Sequence, residues 1–392
     1  MKKKVAVALS GGVDSSVAAL ILKEKGYDVI GLFMNNWEES ISKNCIHTID
    51  SIDAMLVANK LNIPFQILEI KKEYKKHVLN YMFNEYKLGS TPNPDVLCNK
   101  KIKFNLFLKI ATKLGADYIA TGHYANKKKI IKNNEKIYRL LIGKDKKKDQ
   151  SYFLCQLTQD QLEKSLFPLG LLTKKQVRKI AEKNNLINAF KKDSQGLCFV
   201  GKIKLYKFLK KIIPPKKGKI IYISSNSQIY KVKKNFSSKE EKLLFFSKKK
   251  KYKKSDGELI GYHKGAHFFT IGQRKGISIG GYKKALFVID INTNENIIYT
   301  GMGNLHPGLY RKYLFIKEKN IHWIRKDFIL FNGENMEVFC KIRYRQPLQK
   351  SKLYKIKEGI LIKFENMQRA ITKGQFAVWY IKEELIGSGI IS

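Results

Sequence analysis

The chain has 392 residues, 44% of them apolar, and a formal net charge of +43, which is enough length for two or three domains with cores of their own. No run of about 18 apolar residues predicts a membrane span, and the basic N-terminus enters a strand at once, so neither membrane insertion nor a secretory leader is expected and the cytoplasm is the expected compartment. A surface this positive attracts polyanions, but only eight of the basic residues are arginine, and drift toward AT-rich codons produces the same lysine excess; the charge supports an RNA partner without establishing one.

Lys4 to Ala8 is an apolar run that predicts a strand. It leads through Leu9 into Ser10-Gly11-Gly12-Val13-Asp14-Ser15, after which Val13, Val17, Leu20 and Ile21 mark one face of a helix. Two glycines without Cβ let backbone amides close around an anion, and the helix N-terminus adds partial positive charge. Phosphate is the ligand such a corner holds. The loop lacks the lysine of G-x-x-x-x-G-K-[ST], so cleavage of a β–γ phosphate bond is not its natural chemistry.

Downstream, strands are predicted at Asp28 to Met34, Pro64 to Ile70 and Ala116 to Ala120, with helices near Thr48 to Asn62, Lys71 to Lys87 and Lys100 to Leu114. This alternation is that of a doubly wound, parallel α/β sheet. Ligands bind such sheets at the carboxyl ends of the strands, where Gly11, Met34 and Gly122 fall. From Thr158 to about Lys211 the pattern is helical. Pro214, Pro215 and Gly218 then punctuate the chain, and short β-type runs follow to the end. Boundaries are placed near 210 and at His306-Pro307, giving an α/β domain (1–209), a central β-rich module (210–305) and a C-terminal β-barrel (306–392), the last with strands such as Met336 to Tyr344 and Phe376 to Ile381. Residues 224–255 are rich in lysine and read as a surface insertion.

The five cysteines lie at 45, 98, 155, 198 and 340, with no C-x-x-C pair and no Cys/His spacing of a zinc site. A disulfide framework is not expected. Cys98 ends Asn93-Pro94-Asp95-Val96-Leu97-Cys98, ahead of a helix predicted from about Lys100; Cys198 follows Ser194-Gln195-Gly196-Leu197, also ahead of a predicted helix. A helix N-terminus favours the thiolate. Singly, each suits an inert buried thiol; together, in a chain with a phosphate loop, they suggest thiol chemistry. Arg343-Tyr344-Arg345 reads as a strand that puts both arginines on one side, suited to RNA contact. Cys45 and Cys340 read as incidental.

Taken in order, the Ser10 loop, Gly31-Leu32-Phe33-Met34, Asn93 to Asn99, Ala120-Thr121-Gly122-His123-Tyr124, Asp149-Gln150-Ser151-Tyr152-Phe153-Leu154, the Cys198 string, Gly272-Gln273-Arg274-Lys275-Gly276 and Arg343-Tyr344-Arg345-Gln346 resemble the motifs of the tRNA-uridine 2-sulfurtransferases, members of the ATP pyrophosphatase (PP-loop) superfamily. The resemblance spans nearly the full length apart from the lysine-rich insertion. It implies ATP bound by Ala8, Leu9, Ser10, Gly11, Gly12, Val13, Asp14 and Ser15, with Met34 and Gly122 around adenine and ribose, and Mg2+ neutralising the phosphates. Asn93, Pro94 and Asp95 are implied to face the target base, and His123, Lys148, Asp149, Gln150, Arg343, Tyr344 and Gln375 to contact tRNA. Cys198 is implied to carry sulfur as a persulfide with Cys98 as its partner, and Asp95 to do acid/base or orienting work.

The implied reaction is adenylation of the wobble uridine's O2 with loss of pyrophosphate, then attack of sulfur at C2 with loss of AMP. The implied partners are tRNAs for lysine, glutamate and glutamine and a sulfur donor, either a cysteine desulfurase or a relay protein. Other readings of the same residues are an AMP-forming synthetase acting on a small molecule, a basic RNA-binding protein with a vestigial loop, and thiolation through an iron–sulfur cluster held by Cys98, Cys198 and a third ligand. Paired loop cysteines, an intact Ser10, Asp14 and Ser15, and the lack of C-x-x-C weigh against these in turn.

Overall fold

The structure is a computed structural model that describes residues 2–36, 46–193, 205–231 and 235–392. Val5, Ala6 and Val7 are inaccessible to solvent, as befits a central strand of a parallel sheet covered on both faces. That strand, β1 (Lys4–Ala8), is followed by β2 (Asp28–Asn35), β3 (Phe65–Glu69), β4 (Tyr118–Ala120), β5 (Ala125–Lys132), β6 (Glu135–Ile142) and β7 (Ser165–Leu166). The sheet runs β3-β2-β1-β4-β7, all neighbours parallel, with Val7 opposite both Gly31 and Ala120. One face packs helices α1 (Val13–Glu24) and α2 (Ile46–Lys60) through Val17, Leu20, Val57 and Ala58. The other packs the helical runs 71–87 and 94–113 through Val78, Met82, Phe104 and Phe107.

Two features of this domain depart from the expected pattern. The two-residue β7 lies inside the stretch expected to be helical. The β5–β6 hairpin, absent from the sequence reading, turns on Asn133 and Asn134, both at positive φ (49° and 61°), the two-residue turn that matches strand twist. Strand β6 then pairs with a strand far along the chain, Leu140 opposite Leu385.

The central sheet comprises β8 (Gly218–Tyr222), β9 (Glu258–His263), β10 (Leu286–Asn292) and β11 (Ile297–Met302) in the order β10-β11-β8-β9. The last sheet contains β12 (Tyr310–Lys317), β13 (Ile321–Trp323), β14 (Asn335–Lys341), β15 (Gln349–Ile356), β16 (Gly359–Arg369), β17 (Phe376–Ile381) and β18 (Glu384–Ile390), ordered β12-β16-β15-β14-β17-β18-β6-β5 with β13 on β18. Its β18 receives β6 at Leu385 opposite Leu140, and Phe376, Val378, Tyr380 and Leu385 join the core of the first domain. The lysine-rich segment is not a bare loop: Lys239–Ser247 is a helix whose Leu243 is buried against Ile356 and Leu361. Strand β14 ends at Lys341, so Arg343, Tyr344 and Arg345 stand in a turn and not in the strand that alternation predicts.

Candidate active site

The expected phosphate loop leaves the carboxyl end of β1 and opens α1. Gly11 has φ +68°, and a Cβ there would lie 2.2 Å from the Asp50 carbonyl oxygen, so only glycine fits both the left-handed backbone and the contact. Gly122, at the end of β4, approaches the start of α1 so closely that a Cβ would meet the Ser15 nitrogen at 2.8 Å. The Ser10 nitrogen donates to Ser15 Oγ (3.1 Å), and Ser15 Oγ donates to the Gly12 carbonyl (3.0 Å). The helix cap, Gly12, supplies no side-chain acceptor, leaving first-turn N–H groups for an anion. Asn188 and Lys191 brace the turn from outside by donating to the Gly11 carbonyl at 3.0 and 3.1 Å. Met34 is buried at the carboxyl end of β2.

Asp14, partly exposed at this corner, accepts from Tyr124 OH and Lys174 Nζ on one oxygen, each at 2.7 Å. Burial and the nearby Asp14 charge hold the Tyr124 phenol protonated far above its usual range. The Lys174 side chain is only 13% exposed and also meets Asp193 at 2.8 Å. Asp193 collects two further cations, Lys148 at 2.6 Å and Arg178 at 2.9 Å. Burial works against its ionisation, yet hydrogen bonds from Lys148 and Lys174 outweigh it and pull the pKa down to about 2.

The second expected loop begins a helix earlier than its sequence suggests. Asn93 caps the helix Pro94–Leu97, its Oδ1 accepting from the Val96 nitrogen at 3.3 Å with Pro94 in the first turn, the usual division of labour between a cap and a proline. A π-helical stretch, Cys98–Leu106, continues it. Cys98 therefore sits one turn inside a helix, not ahead of one, and is 1% exposed within the core that also holds Ala8 and Met34. Because the run 94–113 feeds β4, its N-terminal end lies toward the carboxyl edge of the sheet, the edge that carries the phosphate loop. Asp95 is partly exposed on the first turn. Gln375 donates from Nε2 to the Thr91 and Pro92 carbonyls (2.8 and 3.3 Å), and Thr91 Oγ1 lies 3.3 Å from Thr270 Oγ1, so both β modules hold the loop in front of Asn93.

The other expected tRNA contacts divide sharply. His123 is buried, its Nδ1 2.8 Å from Thr121 Oγ1 and its ring against Phe104; burial holds its pKa well below the usual imidazole value, so it is neutral. Asp149 is also buried and accepts from Gly143 N, Ser151 N, Ser151 Oγ and Lys341 Nζ, while Gln150 Oε1 accepts from the Tyr124 nitrogen at 3.0 Å. Asp149 is thus taken up by internal structure, whereas Gln150 stays partly exposed. Arg343 is exposed but donates to the carbonyls of Arg369 and Ala370 (2.7 and 2.5 Å), and the Tyr344 ring packs on Phe153 at 4.4 Å between centroids. Cys198 lies outside the described residues. Cys155 is buried and pushed up to about 12 by burial, and Cys340 is raised by the same cause, so neither is a ready thiolate.

Family models described as a tRNA methyl transferase HUP domain, a tRNA methyl transferase PRC-barrel domain and an aminomethyltransferase beta-barrel domain match residues 3–202, 243–302 and 314–391. The tRNA-specific 2-thiouridylase MnmA of Flavobacterium johnsoniae is 53% identical over 394 residues, covering all of both chains. The proteins of the same name from Karelsulcia muelleri and Halalkalibacterium halodurans are 55% and 43% identical, covering 100% and 99% of this chain and 99% and 94% of theirs. The chain belongs to the tRNA-specific 2-thiouridylase family.

As a 2-thiouridylase it is an ATP-dependent transferase that thiolates the wobble uridine of tRNA. The cations that this 2-thiouridylase sets beside its loop, Lys174 and Arg178, escaped sequence reasoning because each is one basic residue among many on the first turns of an ordinary capped helix, Lys174–Lys183. The one available signal was the missing loop lysine, which implied that a cation had to come from elsewhere. Among the described residues no group of three His, Cys, Asp or Glu side chains converges as a metal site, and no described helix is long and apolar enough to cross a membrane.

Proposed function

We propose that the protein adenylates uridine O2 at the Ser10–Ser15 loop and then replaces that oxygen with sulfur carried by Cys198. One observation carries the reading: the phosphate corner of β1 and the Asn93–Cys98 turn stand at the same edge of one sheet, with Ala8, Met34 and Cys98 packed in one core. The C2 oxygen of uridine is a poor leaving group until AMP is attached to it; the amides at the start of α1 and the ammonium of Lys174 are placed to receive the pyrophosphate that departs. A single carboxylate, Asp14, stands at the loop, which suits a magnesium ion held mainly by substrate phosphates and water; when bound, that ion neutralises phosphate charge.

The terminal sulfur of a Cys198 persulfide attacks C2 and AMP leaves with the C–O bond electrons. Once a local shift of the Pro94–Cys98 turn brings the buried Cys98 out of the core, its thiolate attacks the Cys198 sulfur, closing a Cys98–Cys198 disulfide and leaving the second sulfur on the base as 2-thiouridine. Cys198 lies five positions after Asp193, a tether of at most about 18 Å when fully extended, which keeps the sulfur near the adenylation site. Asp95 orients or exchanges protons with the base, and Asn93 and Pro94 shape the pocket in front of it. The tRNAs for lysine, glutamate and glutamine are the proposed substrates, with a cysteine desulfurase or relay protein as sulfur source. The test is tRNA-dependent pyrophosphate release by wild type and Asp14→Ala: the variant is expected to lose it at least a hundredfold, and an unchanged rate removes the loop from the reaction.

A further inference from the structure

We propose that Lys148, Lys174 and Arg178 form a binding site for inorganic pyrophosphate, and that the Asp193 carboxylate occupies it as an internal stand-in when the ligand is absent. The inference rests on the AMP-forming reading above. Three cations meet one carboxylate at 2.6, 2.8 and 2.9 Å, and Lys174 simultaneously touches Asp14 of the phosphate loop at 2.7 Å. Counting Asp14 and Asp145, whose carboxylate accepts from the Lys174 backbone nitrogen at 3.0 Å, three negative charges face three positive ones, so the cluster is balanced while Asp193 occupies it and is left with an excess of positive charge beside the loop when Asp193 moves away. A pyrophosphate offers more acceptor oxygens and more charge than a carboxylate and meets the same donors with charge-assisted bonds.

The donors are built for such an exchange. Arg178 is held in place by donating to the carbonyls of Ala189 and Lys191 at 3.0 and 3.1 Å, so its fork is preorganised for an oxyanion. Lys148 and Lys174 carry point charges on flexible stems and can follow the ligand. That Asp193 titrates only near 2 agrees with a strongly positive field at this spot. No covalent bond changes: pyrophosphate enters as the carboxylate moves away, and Asp193 returns as the product leaves.

The test is calorimetric titration of the full-length protein with inorganic pyrophosphate, with inorganic phosphate and AMP as comparators, at constant ionic strength. Wild type is expected to bind pyrophosphate at least tenfold more tightly than phosphate. Lys174→Met should weaken pyrophosphate at least tenfold and Lys148→Met about threefold, with AMP affinity within twofold in both. Asp193→Asn, which removes the competitor, should tighten pyrophosphate about threefold or more. A merely structural carboxylate predicts the reverse for Asp193→Asn, and that result, in a variant with the wild-type thermal transition, overturns the proposal. Should Asp193→Asn not fold, unchanged pyrophosphate affinity in the partly exposed Lys148→Met variant overturns it equally. The titration contains neither tRNA nor a sulfur source, so it stands or falls apart from the thiolation chemistry.

Discussion

Asp193 shows how strongly one side chain can depend on its neighbours. Its pKa in the folded chain, about 2, lies below the usual carboxylate value because hydrogen bonds from Lys148 and Lys174 outweigh the effect of burial. A depressed folded pKa contributes stability that is present above the unfolded value, roughly 3.9, and lost as pH falls through about 2. Urea midpoints of wild type and Asp193→Asn should therefore differ at pH 6 and draw together as pH falls from 4 through 2; a difference as large at pH 2 as at pH 6 contradicts the assignment. The cysteines follow the same logic of environment. Cys155 and Cys340 are buried with raised pKa values, so native protein treated with iodoacetamide at pH 8 should leave both unmodified on peptide mapping, and rapid labelling of either would show that its burial is wrong.

At the scale of elements, the sequence was most legible where pattern and packing agree. The strands around β1 and the Ser10 loop could be read because alternation, glycine placement and an apolar helix face point the same way. The start of the Cys98 helix could have been read from Asn93-Pro94, a cap followed by a proline, yet the two prolines around Asn93 suggested an extended loop instead. Arg343 and Arg345 illustrate the opposite failure: alternation is only meaningful inside a strand, and β14 has already ended at Lys341. The tRNA contacts inferred at His123 and Asp149 had no local signal of burial, which is set by segments far away in sequence, such as Phe104 and Lys341. The lysine-rich segment hid a short helix because its apolar residues, Leu243 to Phe246, run consecutively and carry no helical period. Leu243 is nonetheless buried on Ile356 and Leu361, and burying a leucine is worth about 1.5–3 kcal/mol; Leu243→Ala should lower unfolding free energy by about that order, and an unaltered denaturation curve would show that the helix does not dock there.

Across the whole molecule, the first domain is not finished by its own residues. Its hairpin β5–β6 extends the C-terminal sheet, its core includes Phe376, Val378 and Tyr380, Arg139 pairs with Glu384 at 2.6 Å, and Asp149 with Lys341 at 3.3 Å. A chain ending at 209 should thus expose apolar core and lose cooperative melting, whereas the full chain should melt these parts together; a truncated protein with the same calorimetric transition would refute this dependence. The same connections bring Gln375 and Thr270 to the loop before Asn93, so the Asn93–Cys98 turn is held by β modules from both later parts of the chain. The proposed reaction turns on sulfur transfer from Cys198 onto an adenylated uridine. Its most direct measurement incubates wild type and Cys198→Ser with ATP, magnesium, a sulfur source and unmodified tRNA, and detects 2-thiouridine by mass spectrometry of the nucleosides. Wild type should form 2-thiouridine and Cys198→Ser none while still binding ATP and tRNA; thiolation by the variant at the wild-type rate would show that Cys198 does not carry the sulfur.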